Sequence, residues 1–256
     1  MLTYFSVTSC TLLQVDDMQK RTFIYLFFKI FLCLQVIMHL QRQFKALKSF
    51  GIINRNNSNW AQNLMNYFQR GGQKTIRQVG DPILRAHAKP VELAYLIAPE
   101  FKEMVDELVS TLRKKNAAGI AAPQIGVSLQ VIAAEVTGHD LKLAIQKYGS
   151  KGVTKMQMTL FPLTVMINPK IKVIDPTTVA FKEGCLSVEN FTAVVPRSQE
   201  IAVEALNVEG ETINFTAVGW TARIIQHEVD HLNGNLFIDC MSYKTLTNEK
   251  WRSYKS

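Results

Sequence analysis

The chain has 256 residues, a net charge of +8, and 47% hydrophobic and 20% charged residues. That length carries one domain with a substantial core plus a leader, and the composition is that of an ordinary globular protein. Four scattered cysteines (Cys10, Cys33, Cys185 and Cys240) make no disulfide framework and fit a reducing compartment.

The predicted regions begin with residues 1–70, read as a largely disordered basic leader. From Met18 to Gly80 there is no Asp or Glu, while Lys and Arg recur from Lys20 to Arg77. A basic, acid-free stretch is the mark of a mitochondrial presequence, which places the protein in the matrix. This excess also accounts for the net charge, so no specific nucleic-acid partner is implied. Thr22 to Met38 is strongly apolar but carries Lys29 and Gln35. Spanning a bilayer takes ~20 mostly apolar residues. The run therefore reads as a short apolar helix within the leader, with membrane contact left open and Met38 as an alternative start. Leu40 to Phe50 reads as a basic amphipathic helix, as import signals do. Asn54 to Asn59 is unstructured leader, and Gly71-Gly72 is a hinge before a folded domain over 71–256.

Within that domain, Phe101, Met104, Val105, Leu108, Val109 and Leu112 recur at helical spacing, ending in Arg113-Lys114-Lys115. Gly119 to Gln124 reads as a loop entering a strand at Val131 to Ala134. Thr137 to Met158 is polar and mixed, an inserted excursion. Leu163 to Ile167 and Lys170 to Ile174 read as two strands around Asn168-Pro169. Glu200 to Leu206 and Thr212 to Val218 alternate about Gly210 as a hairpin. Strands feeding one late buried helix give an α+β fold, with mixed or antiparallel sheets around that helix.

The late helix carries the chemistry. Gln226-His227-Glu228-Val229-Asp230-His231 puts two imidazoles four residues apart, hence on one helical face, with a carboxylate beside the first. Two such imidazoles can hold a divalent metal, and the glutamate can handle protons of a water that the metal polarises. The flanks support a helix from about Val218 to Leu232, with Trp220, Ile224 and Leu232 on its apolar face and Gly234 as stop signal. The competing reading is a surface helix with two ordinary histidines, since such a match arises by chance in roughly one chain in a hundred. The apolar setting weighs against it.

A hydrolytic metal site usually takes three protein ligands and keeps one position open. Two third ligands are in view. Glu249 lies eighteen residues beyond His231, a spacing similar to that of zinc peptidases. Cys185, in Glu183-Gly184-Cys185-Leu186-Ser187, has a glycine before it and a backbone N–H after it, and a thiolate binds first-row divalent metals strongly.

Three segments now form a set: Gly119-Ile120-Ala121-Ala122-Pro123-Gln124, then Glu183-Gly184-Cys185-Leu186-Ser187, then Gln226-His227-Glu228-Val229-Asp230-His231. In that order they resemble the three signature motifs of the peptide deformylase family, over roughly Ile76 to Trp251. Gly80-Asp81-Pro82-Ile83-Leu84-Arg85 resembles the family's opening segment. One departure is Ala117, where the family commonly has glycine; together with Gly219-Trp220-Thr221-Ala222-Arg223-Ile224-Ile225 it is similar to the animal mitochondrial branch. The resemblance implies Cys185, His227 and His231 as metal ligands and Glu228 as general acid/base. It implies Gln124 and the N–H of Leu186 as oxyanion donors, and Gly119 and Gly184 along the substrate backbone. Ala118, Glu183 and Ile224 become pocket neighbours, and Arg197 a partner of Glu183. The implied reaction is metal-dependent hydrolysis of the formyl group of N-formylmethionyl peptides and nascent chains. The implied cofactor is one divalent ion, Fe2+ by family, with Zn2+ or Co2+ as substitutes, and the implied assembly is a homodimer. A catalytically silent binding protein on the same scaffold is the second reading.

Overall fold

A computed structural model describes residues 75–254. The basic leader, the apolar run over 22–38 and the Asn-rich stretch lie outside the described residues. Asp81 opens the described domain by capping the short 3-10 helix Pro82–Arg85, its carboxylate accepting from the Ile83 N–H at 3.1 Å.

Four α-helices and six strands follow: α1 (Pro99–Lys114), β1 (Gly119–Ala121), β2 (Val131–Val136), α2 (Gly138–Lys155), β3 (Phe161–Cys185), β4 (Val188–Leu206), β5 (Thr212–Val218), α3 (Gly219–Leu232), α4 (Phe237–Cys240) and β6 (Thr247–Asn248). The sheet order is β1-β2-β3-β4-β5, with β6 paired to β4, and all of these pairings are antiparallel. Helices on an antiparallel sheet make the fold α+β.

The period-two geometry of β2 places the two main helices. Val131 and Ala133 face one way, into a core with Phe101, Met104, Leu108 and Leu112 of α1. Ile132 and Ala134 face the other way, into a core with Ala222, Ile225 and Val229 of α3. A strand buried on both faces carries no polar alternation, which is why Val131 to Ala134 is a continuous apolar run. Eleven of the fourteen residues of α3 are buried, so the helix is interior, not superficial. It ends where Gly234 adopts φ +76°, and a Cβ there would sit 2.6 Å from the Arg85 carbonyl oxygen. Gly234→Ala combines left-handed strain with that clash, and a loss of about 2–3 kcal/mol in urea unfolding is expected.

Three local expectations are corrected. Gly119 to Ala121 is not loop but a short edge strand, in register with Ala134 to Ile132, and a 3-10 turn over Ala122–Ile125 carries Gln124. The inserted excursion read over Thr137 to Met158 is helical over Gly138–Lys155, in two pieces that meet at a non-helical Gly149. Thr137 and Asp140 cap the helix reciprocally, and Gly149 at φ +71° breaks the periodicity that would have revealed it. The two strands read around Asn168-Pro169 are one. Asn168 takes φ +51° at a shift of register, and its amide holds the Val91 N–H and C=O at 2.8 Å each, in place of a strand neighbour.

β3 and β4 form one long hairpin running from Ile167↔Leu206 to Cys185↔Val188. Its closed end, at Leu186-Ser187, lies beside α3.

Candidate metal centre

Successive turns of α3 bring the rings of His227 and His231 to 5.1 Å between centroids. The hairpin end delivers Cys185, whose Sγ lies 3.2 Å from His231 Nε2. One donor atom from each of the three residues falls within 4.8 Å of the others, the group of possible metal ligands found among the described residues. Glu249 goes elsewhere. Its carboxylate meets Lys182 Nζ at 2.5 Å and accepts from Thr192 Oγ1 at 2.5 Å, which holds it below its ordinary value. The peptidase-like spacing is therefore not realised in space.

The environment suits a cation. His231 is 1% exposed and its pKa is pushed well down, by burial first and then by the charges on His227 and Arg197, so it offers a neutral ring. His227 Nδ1 lies 3.0 Å from Glu183 Oε2. A carboxylate only accepts, so Nδ1 carries hydrogen and Nε2 is the nitrogen left for the centre. His227 is pulled the other way. Burial opposes its proton, but hydrogen bonds with Cys185 and Glu183 and the charges of Cys185 and Glu228 outweigh burial and raise its pKa well above the ordinary value. The protein thus attracts a positive charge to the spot where the three donors converge. A soft sulfur with two imidazoles matches a divalent first-row ion and leaves room for a further ligand.

Behind His227 stands a buried ionic cluster. Glu183 accepts from Arg197 Nε at 3.0 Å and Nη2 at 3.1 Å, and from Arg223 Nη1 at 2.6 Å. Arg197 also donates to Asp230 at 2.5 Å. Two guanidinium groups therefore face two carboxylates. Burial alone would raise Glu183, but the bonds from His227 and Arg197 hold it down to about 2.

Arg197 joins Glu183 in the structure, and Arg223 joins it too. Arg223 stacks against Phe181 and Trp220, with its charge centre 5.2 and 5.9 Å from their ring centroids, and donates to the Val195 carbonyl at 2.8 Å. The sequence reading assigned Arg223 no role. The available signal was a charged residue set between Ala222 and Ile224 in the apolar first half of the helix, four positions before His227. Ser187, fully buried, was also missed; its hydroxyl accepts from Gln124 Nε2 at 3.2 Å.

Glu228 is 4% exposed and its Oε2 has no hydrogen-bond partner among the described residues. Burial, assisted by the charges of Glu183 and Asp230, pushes its pKa up to about 7 against the pull of His227 and Arg197. It shares a cavity of about 400 Å³ with Ala118, Gly119, Gln124, Glu183, Gly184, Cys185, Leu186, Ile224 and His227. Gln124 Oε1 accepts from the Ala121 N–H at 2.8 Å, which turns Nε2 towards Cys185 Sγ at 3.4 Å. Gly119 is required by packing: a Cβ there would fall onto Glu228 Oε1 and lie 2.7 Å from Ile224 Cγ2. A Cβ on Gly184 would lie 3.3 Å from Thr192 Cγ2, a milder constraint. Ala117 escapes backbone strain, because the left-handed step falls on Asn116, at φ +49°.

This arrangement can be set beside known proteins. The family description "Polypeptide deformylase" matches residues 73–246. The mitochondrial peptide deformylase of Homo sapiens is 44% identical over 176 residues, which is 69% of this chain and 71% of that protein. The peptide deformylase of Dictyoglomus thermophilum is 34% identical over 177 residues, 69% of this chain and 98% of that one. Among solved structures, a class I type b peptide deformylase from Acinetobacter baumannii, with Met-Ala-Ser bound, is 31% identical with a TM-score of 0.57, covering 65% of this chain and 96% of that one. The matched span contains the paired histidines, the cysteine at the hairpin end and the buried glutamate alike, and the chain belongs to the polypeptide deformylase family.

Proposed function

We propose that this chain removes the formyl group from the N-terminal methionine of newly made polypeptides, releasing formate. The observation that carries this is Glu228: a buried carboxylate whose Oε2 has no hydrogen-bond partner among the described residues, sharing one cavity with Cys185 and His227, two of the three residues that could hold a metal. The family is metal-dependent. Cys185 Sγ and Nε2 of His227 and of His231 would hold the ion, proposed as Fe2+, with Zn2+ or Co2+ as substitutes. Bound there, the ion supplies Lewis acidity towards a water and the formyl oxygen.

Glu228 Oε2 takes a proton from the attacking water and returns it to the departing amine, a task suited to a group poised near neutrality. Gln124 Nε2 and the Leu186 N–H donate to the oxygen that gains negative charge in the transition state. Gly119 and Gly184 leave room for the substrate backbone between β1 and the end of β3. Ile224, with Ala118 and Glu183 as neighbours, borders the methionine side chain. Gly119 also keeps the site small enough to admit formyl and exclude acetyl. The Met-Ala-Ser bound to the A. baumannii relative supports a peptide of this kind as ligand. The mitochondrial relative and the acid-free leader support action in the matrix on nascent chains. A homodimer is the assembly proposed with this reading, and light scattering tests it.

The test is formate release from formyl-Met-Ala-Ser by the anaerobically purified, metal-loaded chain, with acetyl-Met-Ala-Ser left intact. Full metal occupancy without formate from any formyl peptide would favour the silent binding protein instead. Gly119→Ala should lower kcat/KM at least about a hundredfold with metal content unchanged, because the added methyl displaces Glu228 and Ile224.

A further inference from the structure

The segment Arg77–Val79 is tied to both loops that meet at the metal centre. The Arg77 N–H donates to the Gln124 carbonyl at 2.8 Å, and the Val79 N–H to the Ser187 carbonyl at 2.7 Å. Between them, Gln78 reaches out with its side chain. Its Nε2 donates to the Leu186 carbonyl at 2.9 Å, and its Oε1 accepts from the Glu189 N–H at 3.4 Å. The Leu186 carbonyl is one end of a rigid planar unit whose other end is the Ser187 N–H. That N–H donates to Cys185 Sγ at 3.4 Å. A side chain of Gln78 therefore fixes the tilt of the peptide plane that hydrogen-bonds the cysteine sulfur, while standing outside the cavity itself.

We infer that Gln78 is a positioning residue for the Cys185 ligand, acting through the Leu186–Ser187 peptide plane. The inference rests on the metal-binding reading of Cys185 but not on the deformylation reaction. Hydrogen bonds to a ligating sulfur tune its donor strength, and outer partners of ligands typically alter metal affinity or activity about 10–100-fold when removed. Gln78 is the only side chain among the described residues that donates to the Leu186 carbonyl, and it is exposed, so its loss leaves the packing of the core intact.

Gln78→Met keeps length and removes both hydrogen-bonding atoms. In the metal-free full chain, amide hydrogen exchange at Ser187 should quicken at least about tenfold relative to wild type. In the cobalt(II)-loaded chain, the sulfur-to-cobalt charge-transfer absorption should shift, and chelator competition should show cobalt binding weakened about tenfold. The melting temperature of the metal-free variant should stay at the wild-type value, which separates positioning from general destabilisation. A charge-transfer band and cobalt affinity identical to wild type overturn the inference, whatever the melting temperature does. If wild type binds cobalt with no sulfur-to-cobalt band at all, the assignment of Cys185 as a ligand fails first, which is a distinct result.

Discussion

Glu228→Ala should abolish turnover while the protein still carries its metal. Positioned proton transfer contributes typically 10²–10⁴-fold, and no neighbouring carboxylate is free to substitute, since Glu183 and Asp230 are both engaged by arginines. Formate release paired with elemental analysis checks it; loss of metal together with activity would show Glu228 to be structural. The isostere Glu228→Gln adds a second expectation with the opposite sign. The folded carboxyl sits at about 7, above its ordinary 4.5, so the folded protein holds a proton that the unfolded chain releases in that interval. Stability therefore falls as pH rises from about 4.5 to 7, and the deficit persists above it. Glutamine removes the buried charge, and the metal-free variant should be more stable than wild type at pH 8, by up to about 3 kcal/mol. A less active, more stable variant is what a strained functional group predicts.

Arg197→Met should be among the most destabilising changes in the domain. It leaves Glu183 with Arg223 and the His227 ring only and Asp230 without its 2.5 Å partner, and breaking a buried ion cluster from one side costs about 3–5 kcal/mol. Denaturant unfolding of the metal-free protein measures it; a change under 1 kcal/mol would show the cluster to be idle. The cluster also sets the acid limit. Glu183 is held at about 2, below its ordinary 4.5, so its contribution is complete above pH 4.5 and is lost as pH falls towards 2. Glu228 has already taken its proton in the folded protein over that range and does not mask the loss. Glu183→Gln should flatten the acid limb between pH 4.5 and 2, and should also weaken metal binding, since His227 Nδ1 loses its anionic anchor.

The paired histidines were legible because their spacing is a property of one helix, set by local geometry alone. Cys185 needed more. Its approach to His231 depends on the register of two strands and the place where they turn, and chain positions forty-six apart carry no such information until the strands pair. The glycine before Cys185 and the backbone N–H after it favour Cys185 over Glu249, and the resemblance points the same way. Arg223 was hidden for a related reason: its partners, Glu183 and the Val195 carbonyl, come from the two arms of the β3–β4 hairpin, far from it in sequence. The helix over 138–155 was missed because Gly149 interrupts its period, and the unity of β3 because Asn168-Pro169 signals a break that an amide clamp on Val91 repairs.

The place of Cys185 at the shut end of the longest hairpin constrains how this gene can vary. Side chains on a strand alternate between faces, and the register is unbroken from Thr178 to Gly184, so deleting one codon there turns the thiol away from the imidazoles. At the far end, beyond Leu206, the Gly210 turn lies well clear of that phase relation. Length polymorphism among natural variants should accordingly gather there and be purged from the arms.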